Sequence, residues 1–304
     1  MKAEGVVPKL VTTNTLVDAQ SGKMDKCAEI LGSMKEEFGI EPDRITYSTI
    51  VKGFCMMGHI DQAVAVMESA RRTGFAADVI IYNTILDGCS TRDHFDMCDR
   101  LYRQMIEDGV KPTNFTLTVM IKRFGREGEL DKAFEALETL PVRFGFKPNQ
   151  QAYTCLISAC VMNRSMPKAM SVLKKMKEEG PYPDNMPYEK IISGFIRNGD
   201  ALPAYELIRE AYALDDVRQS TKFDSNRTSG TVTPGGSHNT RALSLDPKIL
   251  ERLLELLGSK GMSQSHAVPL VQDLRNQKVT IPQRLVAFAL RGATSNLGKQ
   301  LCFF

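Results

Sequence analysis

The chain has 304 residues, of which 42% are hydrophobic and 25% are charged, and its formal net charge is +3. This composition can fill a hydrophobic core, and no apolar stretch approaches the ~18 residues that a membrane span requires. Residues 215–304 carry 12 basic and 7 acidic side chains, which leaves 27 and 29 for residues 1–214. The larger part is therefore nearly neutral, which excludes a protein that binds nucleic acid through bulk positive charge.

The cysteines and histidines predict no metal centre. The chain has seven cysteines and four histidines, and none of them forms a CxxC motif or a set with zinc-ligand spacing. An odd number of cysteines favours reduced thiols in an intracellular compartment. We also find no paired acids or nucleophile motifs, so we predict no cofactor and no enzymatic activity.

A repeat of about 35 residues runs through the first two thirds of the chain. Three columns of residues recur at intervals of 35, 35, 36 and 35. They share one register and place the additional residue in the same repeat, so they identify a structural period. The columns are Tyr47, Tyr82, Leu117, Tyr153 and Tyr188; Ala63, Cys98, Ala133, Ala169 and Ala204; and Pro42, Ala77, Pro112, Pro148 and Pro183.

Each repeat predicts two amphipathic helices joined by a turn. The stretch VIIYNTILDGC (79–89) has a strand-like composition, yet its apolar residues are spaced i, i+3, i+4 and i+7, which places them on one helix face. A second periodic segment, such as DQAVAVMESARRTG (61–74), follows in each repeat. Neighbouring hairpins must stack to bury these faces, which predicts an all-α solenoid. Glycines that suit a left-handed helix end are Gly74, Gly109 and Gly180.

The segments TYSTIVKGFCMMGHIDQAVAVMESARRTG and YNTILDGC…LYRQMIEDGVKP resemble the pentatricopeptide repeat family. That family has a Tyr-Asn-Thr-Leu-Ile-like first helix, a glycine turn, an alanine-bearing second helix and an exit of the type Met-Lys-x-x-Gly-x-x-Pro-Asp. Tetratricopeptide repeats are the nearest alternative, but their 34-residue unit carries a Trp signature and this chain has no Trp. The resemblance implies a right-handed superhelical α-solenoid of helix–turn–helix repeats.

The resemblance covers residues 1 to about 212 and sets the expected domain boundaries. The segment MKAEGVVPK matches the end of a repeat, like MIEDGVKPT further along, so we expect an N-terminal part to be missing. The expected divisions are 1–9, the end of a truncated repeat; a repeat array over 10–214, divided as 10–43, 44–78, 79–113, 114–149, 150–184 and 185–214; a Ser/Gly-rich flexible linker, 215–244; a helical module, 245–292; and a tail, 293–304.

The module begins with LDPKILERLLELLG, in which Asp246 is the predicted N-cap, Pro247 the first helical residue and Gly258 the helix stop. Further helices are predicted over Ser265–Asn276 and Pro282–Arg291. The module carries neither the HxE nor the CxxC of a zinc deaminase. We expect this module to bind a protein partner.

By resemblance, two polar columns would read one RNA base per repeat, a literal code. The first column follows the Tyr position, and the second closes each repeat. The implied pairs are Asn14 with Asp43 for U, Ser48 with Asp78 for G, Asn83 with Thr113 for a pyrimidine, Thr118 with Asn149 for A, and Thr154 with Asp184 for G. The implied string, read 5′ to 3′, is U-G-Y-A-G, while Glu189 continues the first column as an exception.

The resemblance also implies contacts to the sides of the bases and to the phosphates. Apolar residues that would sandwich bases are Val11, Ile45, Ile80, Phe115 and Met186, and Gln151 departs from this column. A further column, often basic in the family, holds Met56, Thr91, Arg126, Met162 and Arg197. Only Arg126 and Arg197 can therefore contact phosphate from that column.

The sequence thus predicts a sequence-selective protein that binds single-stranded RNA and acts as an adaptor in RNA processing, stability or translation. The family implies a mitochondrial or chloroplast location. A helical-repeat scaffold for protein–protein interaction is the alternative, which the neutral charge of residues 1–214 favours. Salt-dependent binding of an RNA oligonucleotide distinguishes the two.

Overall fold

The computed structural model describes residues 42–72, 74–214, 243, 245–277, 279, 281–283, 286–287 and 289. All regular elements in these residues are helical. The predictions for segments 1–9 and 293–304, for Val11 and Asn14 of repeat 10–43, and for nearly all of the linker 215–244 lie outside the described residues. Among the helices that are described, none is long and apolar enough to cross a membrane.

The helices alternate along the chain as first and second helices of hairpins. The stretch with strand-like composition, 79–89, lies in a helix, as its periodicity predicted. A π-helical turn, Ser263–Ala267, precedes the last helix named here. In the described residues the α-helices are α1 (Arg44–Met57), α2 (Ile60–Arg72), α3 (Val79–Thr91), α4 (Phe95–Glu107), α5 (Asn114–Glu127), α6 (Leu130–Phe144), α7 (Gln150–Met162), α8 (Met166–Glu179), α9 (Asn185–Asn198), α10 (Ala201–Ala211), α11 (Pro247–Ser259) and α12 (Val268–Asn276).

Two compact parts make up the chain, one ending at Cys155 and the other beginning at Leu156. In the first part, α1, α3 and α5 each pack against the second helix of their own hairpin, and α1 packs on α3 and α3 on α5. In the second part, α9 packs on α10 and α11. The Tyr column is at most 5% exposed and the Ala column is fully buried, so the sequence period marks the core.

A constant spacing separates the start of each first helix from the turn that follows it. The residue before each first helix is here called the cap, and the fifteenth residue after each cap has a positive φ, between 55° and 84°. A helix ends readily on one residue in this left-handed region. The caps are Asp43, Asp78, Thr113, Asn149, Asp184 and Asp246; the turn residues are Gly58, Asp93, Gly128, Arg164, Gly199 and Gly261.

The helices α11 and α12 follow the same pattern. Asp246 accepts a hydrogen bond from the Lys248 N–H at 2.9 Å, as a cap residue does. Leu250 occupies the position of the Tyr column and is 3% exposed. The buried small residue is Ala267, one place later than the Ala column predicts, because the π-helical turn takes up an additional residue.

Two glycines behave differently from the prediction. Gly180 has φ −102° and leaves the helix in an extended conformation, because Pro181 follows and restricts the preceding residue to that region. Gly258 lies inside α11, which continues to Ser259. The left-handed stop is Gly261, where the Leu257 carbonyl accepts the Met262 N–H at 2.8 Å.

Candidate nucleic-acid interface

The apolar column predicted to sandwich bases is exposed. It occupies the second position of each first helix, and in the first part of the chain Ile45, Ile80 and Phe115 are 61%, 57% and 52% exposed. Met186, in the second part, is 46% exposed. Their immediate neighbours Thr46, Ile81 and Thr116 are buried. Large apolar side chains that a protein leaves in water at a repeated position form a surface that a planar ligand can cover.

The first polar column lies five residues after each cap. Asn83, Thr118 and Thr154 are 6–7% exposed, while Ser48 and Glu189 are half-buried. The Thr118 hydroxyl donates to the Asn114 carbonyl and the Thr154 hydroxyl to the Gln150 carbonyl, both at 2.8 Å. Because the Thr118 hydroxyl proton is used inside its own helix, its oxygen lone pairs are what Thr118 can offer a ligand.

Asn83 is oriented by the next repeat. The Thr113 N–H donates to Thr116 Oγ1 at 3.0 Å, and the Thr116 hydroxyl donates to Asn83 Oδ1 at 2.7 Å. The carbonyl oxygen of the Asn83 amide is therefore occupied within the protein. Its Nδ2 group is left to donate, and a donor in this place complements an acceptor on a base edge.

The second polar column coincides with the caps. Asp78 Oδ1 accepts from the Ile80 and Ile81 N–H groups at 3.0 and 2.9 Å, and Asp184 Oδ1 accepts from the Met186 N–H at 3.0 Å. Asp43 and Asn149 accept from the N–H three residues later at 2.8 and 3.0 Å. Helix capping selects Asp, Asn and Thr. The recurrence of these residue types thus has a structural cause beside any role in base reading.

Consecutive repeats are tied together next to the caps by residues that sequence reasoning missed. Arg44, the first residue of α1, forms an ion pair with the cap Asp78. Asn114, the first residue of α5, accepts from the Asn149 N–H at 3.0 Å and donates from Nδ2 to the Lys147 carbonyl at 2.9 Å. Both follow a cap directly, and that register could have identified them.

The two arginines predicted to contact phosphate have different surroundings. Arg126 is held by Asp93, with Nε–Oδ1 and Nη2–Oδ2 distances of 2.8 and 3.3 Å. Arg197 is exposed, and no side-chain partner for its guanidinium occurs among the described residues. The other members of this column include Met56 and Met162, which are 70% and 61% exposed.

Glu189 occupies the first polar column in the last repeat of the predicted array. Its Oε1 accepts from the N–H of Asp246, the cap of α11, at 2.9 Å. The carboxylate therefore closes the junction between α9 and α11 instead of standing free. Tyr212 supports the same junction, since its hydroxyl accepts from the Leu245 N–H at 3.2 Å.

Sequence models of known families match several parts of the repeat region. PPR repeat models match residues 38–71 and 115–141, a PPR repeat family model matches 77–126, and a pentatricopeptide repeat domain model matches 141–198. The chain belongs to the pentatricopeptide repeat family. The predicted family and all-α repeat fold are thereby confirmed.

Curated pentatricopeptide repeat proteins of Arabidopsis thaliana are similar to this chain over up to about two thirds of its length. A protein named At3g09650, chloroplastic, is 29% identical over 213 residues, which are 68% of this chain and 27% of that protein. The small ribosomal subunit protein mL103 (rPPR7) is 23% identical over 63% of this chain and 47% of its own length. The chain thus spans between about a quarter and a half of these relatives.

Solved structures of this family share the fold. The pentatricopeptide repeat protein PPR10 from maize superposes with a TM-score of 0.62 at 20% identity, covering 96% of this chain and 38% of PPR10. PPR10 in complex with an 18-nt psaJ RNA element gives a TM-score of 0.52 at 15% identity, over 88% of this chain and 40% of PPR10. At these identities the likeness concerns the fold.

Proposed function

We propose that this pentatricopeptide repeat protein binds single-stranded RNA through its first helices, with one base to each repeat. The observation that carries the proposal is the exposed apolar column, in which Ile45, Ile80 and Phe115 recur at one position per repeat while the residues after them are buried. Stacking a base on such a side chain is worth about 1–3 kcal/mol. RNA binding by the structural relative PPR10 supports the proposal.

The proposed specificity follows from the residues five places after each cap. Asn83 offers an amide donor and would read a pyrimidine. Thr118 offers hydroxyl lone pairs and would read A, and Thr154, at the same position of the next repeat, would read G. The described repeats would select G-Y-A-G, and the pair of Asn14 and Asp43 would add a U at the 5′ end. A base that leaves the buried Asn83 donor unpaired would be rejected, because an unmet hydrogen bond costs about 1–3 kcal/mol.

We further propose an adaptor role in an organelle. Relatives named chloroplastic and a relative named as a ribosomal subunit protein support a place in organellar RNA metabolism. Of the two arginines in the column predicted to face phosphate, Arg126 is already neutralised by Asp93. Association costs about 4–15 kcal/mol, which is comparable to the stacking energy of five repeats, so the RNA complex should be weak unless further contacts strengthen it.

The test is binding of fluorescent RNA. The wild type should bind an oligonucleotide containing UGUAG more tightly than its complement, with an affinity that falls as salt rises. Thr154→Asn should move the preferred base at the fifth site from G toward U. Thr139→Asn is the matched control, because Thr139 is exposed on a second helix and makes the same bond to the carbonyl four residues before it, at 2.8 Å. Identical base preferences for wild type and Thr154→Asn would refute the proposed code.

A protein-binding scaffold is the second candidate function. Met56 and Met162 are among the most exposed apolar side chains of the chain, and both replace basic residues of the family in the column predicted to face phosphate. Methionine suits adaptable contacts with protein surfaces. Binding of RNA oligonucleotides that neither depends on salt nor changes with sequence would favour this second function.

A further inference from the structure

Two positions that recur in each repeat, one in the turn and one near the end of the next first helix, carry charged side chains in two places of the chain. The turn residue lies fifteen places after its cap, and the partner residue lies thirteen places after the following cap. In the first part of the chain this pair is Asp93 with Arg126, joined by two hydrogen bonds of 2.8 and 3.3 Å. The two opposite charges neutralise one another there.

The equivalent pair in the second part of the chain has two like charges. Arg164 takes the place of the acid and Arg197 takes the place of the arginine. Both side chains are exposed, and neither guanidinium forms an ion pair or a hydrogen bond with any residue that the structure describes. They line one open cleft of about 570 Å³, together with Val161, Met162 and Asn198.

The backbone at Arg164 adds to the case for a ligand. Arg164 has φ 55°, in the left-handed region, where four of the five other turn residues are the glycines Gly58, Gly128, Gly199 and Gly261. A bulky side chain rarely adopts this conformation without a compensating reason. Arg164 and Arg197 line one cleft whose lining residues include no acid, so an anion can supply the counter-charge that the two guanidinium groups lack.

We propose that Arg164 and Arg197 form an anion site that binds a phosphodiester group of the RNA backbone. Guanidinium groups present planar N–H donors that match phosphate oxygens in a bidentate geometry, and two of them repel one another unless an anion lies between them. The site rests on the proposed function for the source of its phosphate. It adds Arg164 to the interface and gives the otherwise weakly basic array one place of concentrated positive charge.

Two opposite charge changes test the site. Arg164→Asp places an acid at the position that Asp93 occupies in its own repeat, so the new carboxylate should pair with Arg197. The RNA affinity should then fall roughly tenfold, and the slope of log affinity against log salt should decrease by about 1. Asp93→Arg should create a second arginine pair with Arg126 and change affinity and slope in the opposite direction. Arg103→Asp, on the second helix α4, carries the same charge change away from the interface and should have little effect.

The free anion separates this inference from RNA binding itself. In the wild type, addition of inorganic pyrophosphate should shift the NMR signals of the Arg164 and Arg197 Nε–H groups, and Arg164→Asp should abolish the shift at Arg197. If pyrophosphate binds in this way but RNA does not, the anion site stands and the proposed function fails. If RNA binds Arg164→Asp as it binds the wild type, the inference is overturned and the proposed function stands. Poly-glutamate that displaces pyrophosphate from the site more strongly than RNA does would also overturn the inference, because the anion would then come from an acidic protein.

Discussion

The hydroxyl of Thr116 donates a hydrogen bond to Asn83 Oδ1 at 2.7 Å and thereby joins the first helices of two consecutive repeats. Both side chains are buried, with 0% and 7% of their surface exposed. The chemical face that Asn83 can present is therefore set by a residue of the next repeat. The proposed base-reading position Asn83 therefore depends on its neighbour in space as well as on its own identity.

Replacement of Thr116 by Val should uncouple the two repeats. The Asn83 carbonyl and the Thr113 N–H both lose their partner, so the free energy of unfolding should fall by about 1–3 kcal/mol in urea titrations. The proposed pyrimidine preference at this site should weaken as the amide becomes free to rotate. Thr91→Val is the control, since Thr91 is exposed and its hydroxyl bonds only the Asp87 carbonyl at 2.7 Å. Equal stabilities of the two variants would show that the inter-repeat bond contributes little.

Substitutions in the exposed apolar column should weaken RNA binding without destabilising the fold. Ile80→Ala should change the free energy of unfolding by less than about 0.5 kcal/mol, because the side chain is already in water. The same change should reduce RNA affinity by about 1–3 kcal/mol through loss of stacking. Ile81→Ala, next to it but 1% exposed, should instead destabilise the fold by about 2–5 kcal/mol. RNA binding by Ile80→Ala at the wild-type affinity would remove this column from the interface.

The thiols of the buried Cys89 and Cys98 and of the partly buried Cys55 should be inert in the folded protein. Burial raises the pKa of Cys55, Cys89 and Cys98 to about 12. Little thiolate therefore forms at pH 8, and alkylation by iodoacetamide, followed for each cysteine by mass spectrometry, should be slow until the protein is unfolded. Rapid alkylation of Cys98 under native conditions would contradict the packing described here.

The raised pKa values of these thiols should make the folded protein less stable at high pH. The unfolded thiols have a pKa near the model-peptide value of about 8.5, so the unfolded state loses these protons before the folded state does. The neutral thiols contribute fully to the free energy of unfolding below that pH, and this contribution is lost as the pH rises toward 12. Urea midpoints should fall over this range, and Cys98→Ala should make the fall smaller.

A buried ion pair should hold the last hairpin in place. Arg209 Nη1 of α10 and Asp273 Oδ2 of α12 are 2.9 Å apart, and both side chains are largely buried. Asp273→Ala leaves the guanidinium without this partner and should cost about 3–5 kcal/mol, seen as faster hydrogen exchange in α12. Lys174→Ala, which breaks an exposed pair with Glu178, should cost less than about 1 kcal/mol. Similar exchange rates in α12 for the two variants would argue against the role of Asp273.

The sequence predicted the repeats well because their columns are buried. Tyr82, Leu117 and Ala133 contact the core, and packing tolerates few residue types there, so the period is visible in one sequence. The segment 215–244 shifts α11 out of that period, and the π-helical turn shifts α12. In addition, Leu250 replaces the tyrosine. The last hairpin is therefore suggested as a degenerate hairpin by its predicted helices, while the spacing of its residues does not show the repeat.

Contacts between repeats were the least predictable feature. The sequence shows an acid at Asp93 and a base at Arg164, but only the structure shows that Asp93 contacts Arg126 of the next repeat. The cap function of Asp78 and Asp184 was also missed, because the same residue types suit a base-reading role. The base-reading, sandwiching and phosphate assignments remain predictions for the experiments above.

The constant fifteen-residue spacing from cap to turn has a consequence for how such a chain can change during evolution. The additional residues of the described repeats fall after the turn, at the π-helical turn near Ala267 and within the repeat 114–149, whose second helix α6 is 15 residues long. An insertion within a first helix would rotate every later side chain by about 100° and remove it from its contacts. Insertions and deletions are therefore tolerated after the turn of a repeat. Within the fifteen residues from cap to turn, residues can be substituted but the length of the segment cannot change.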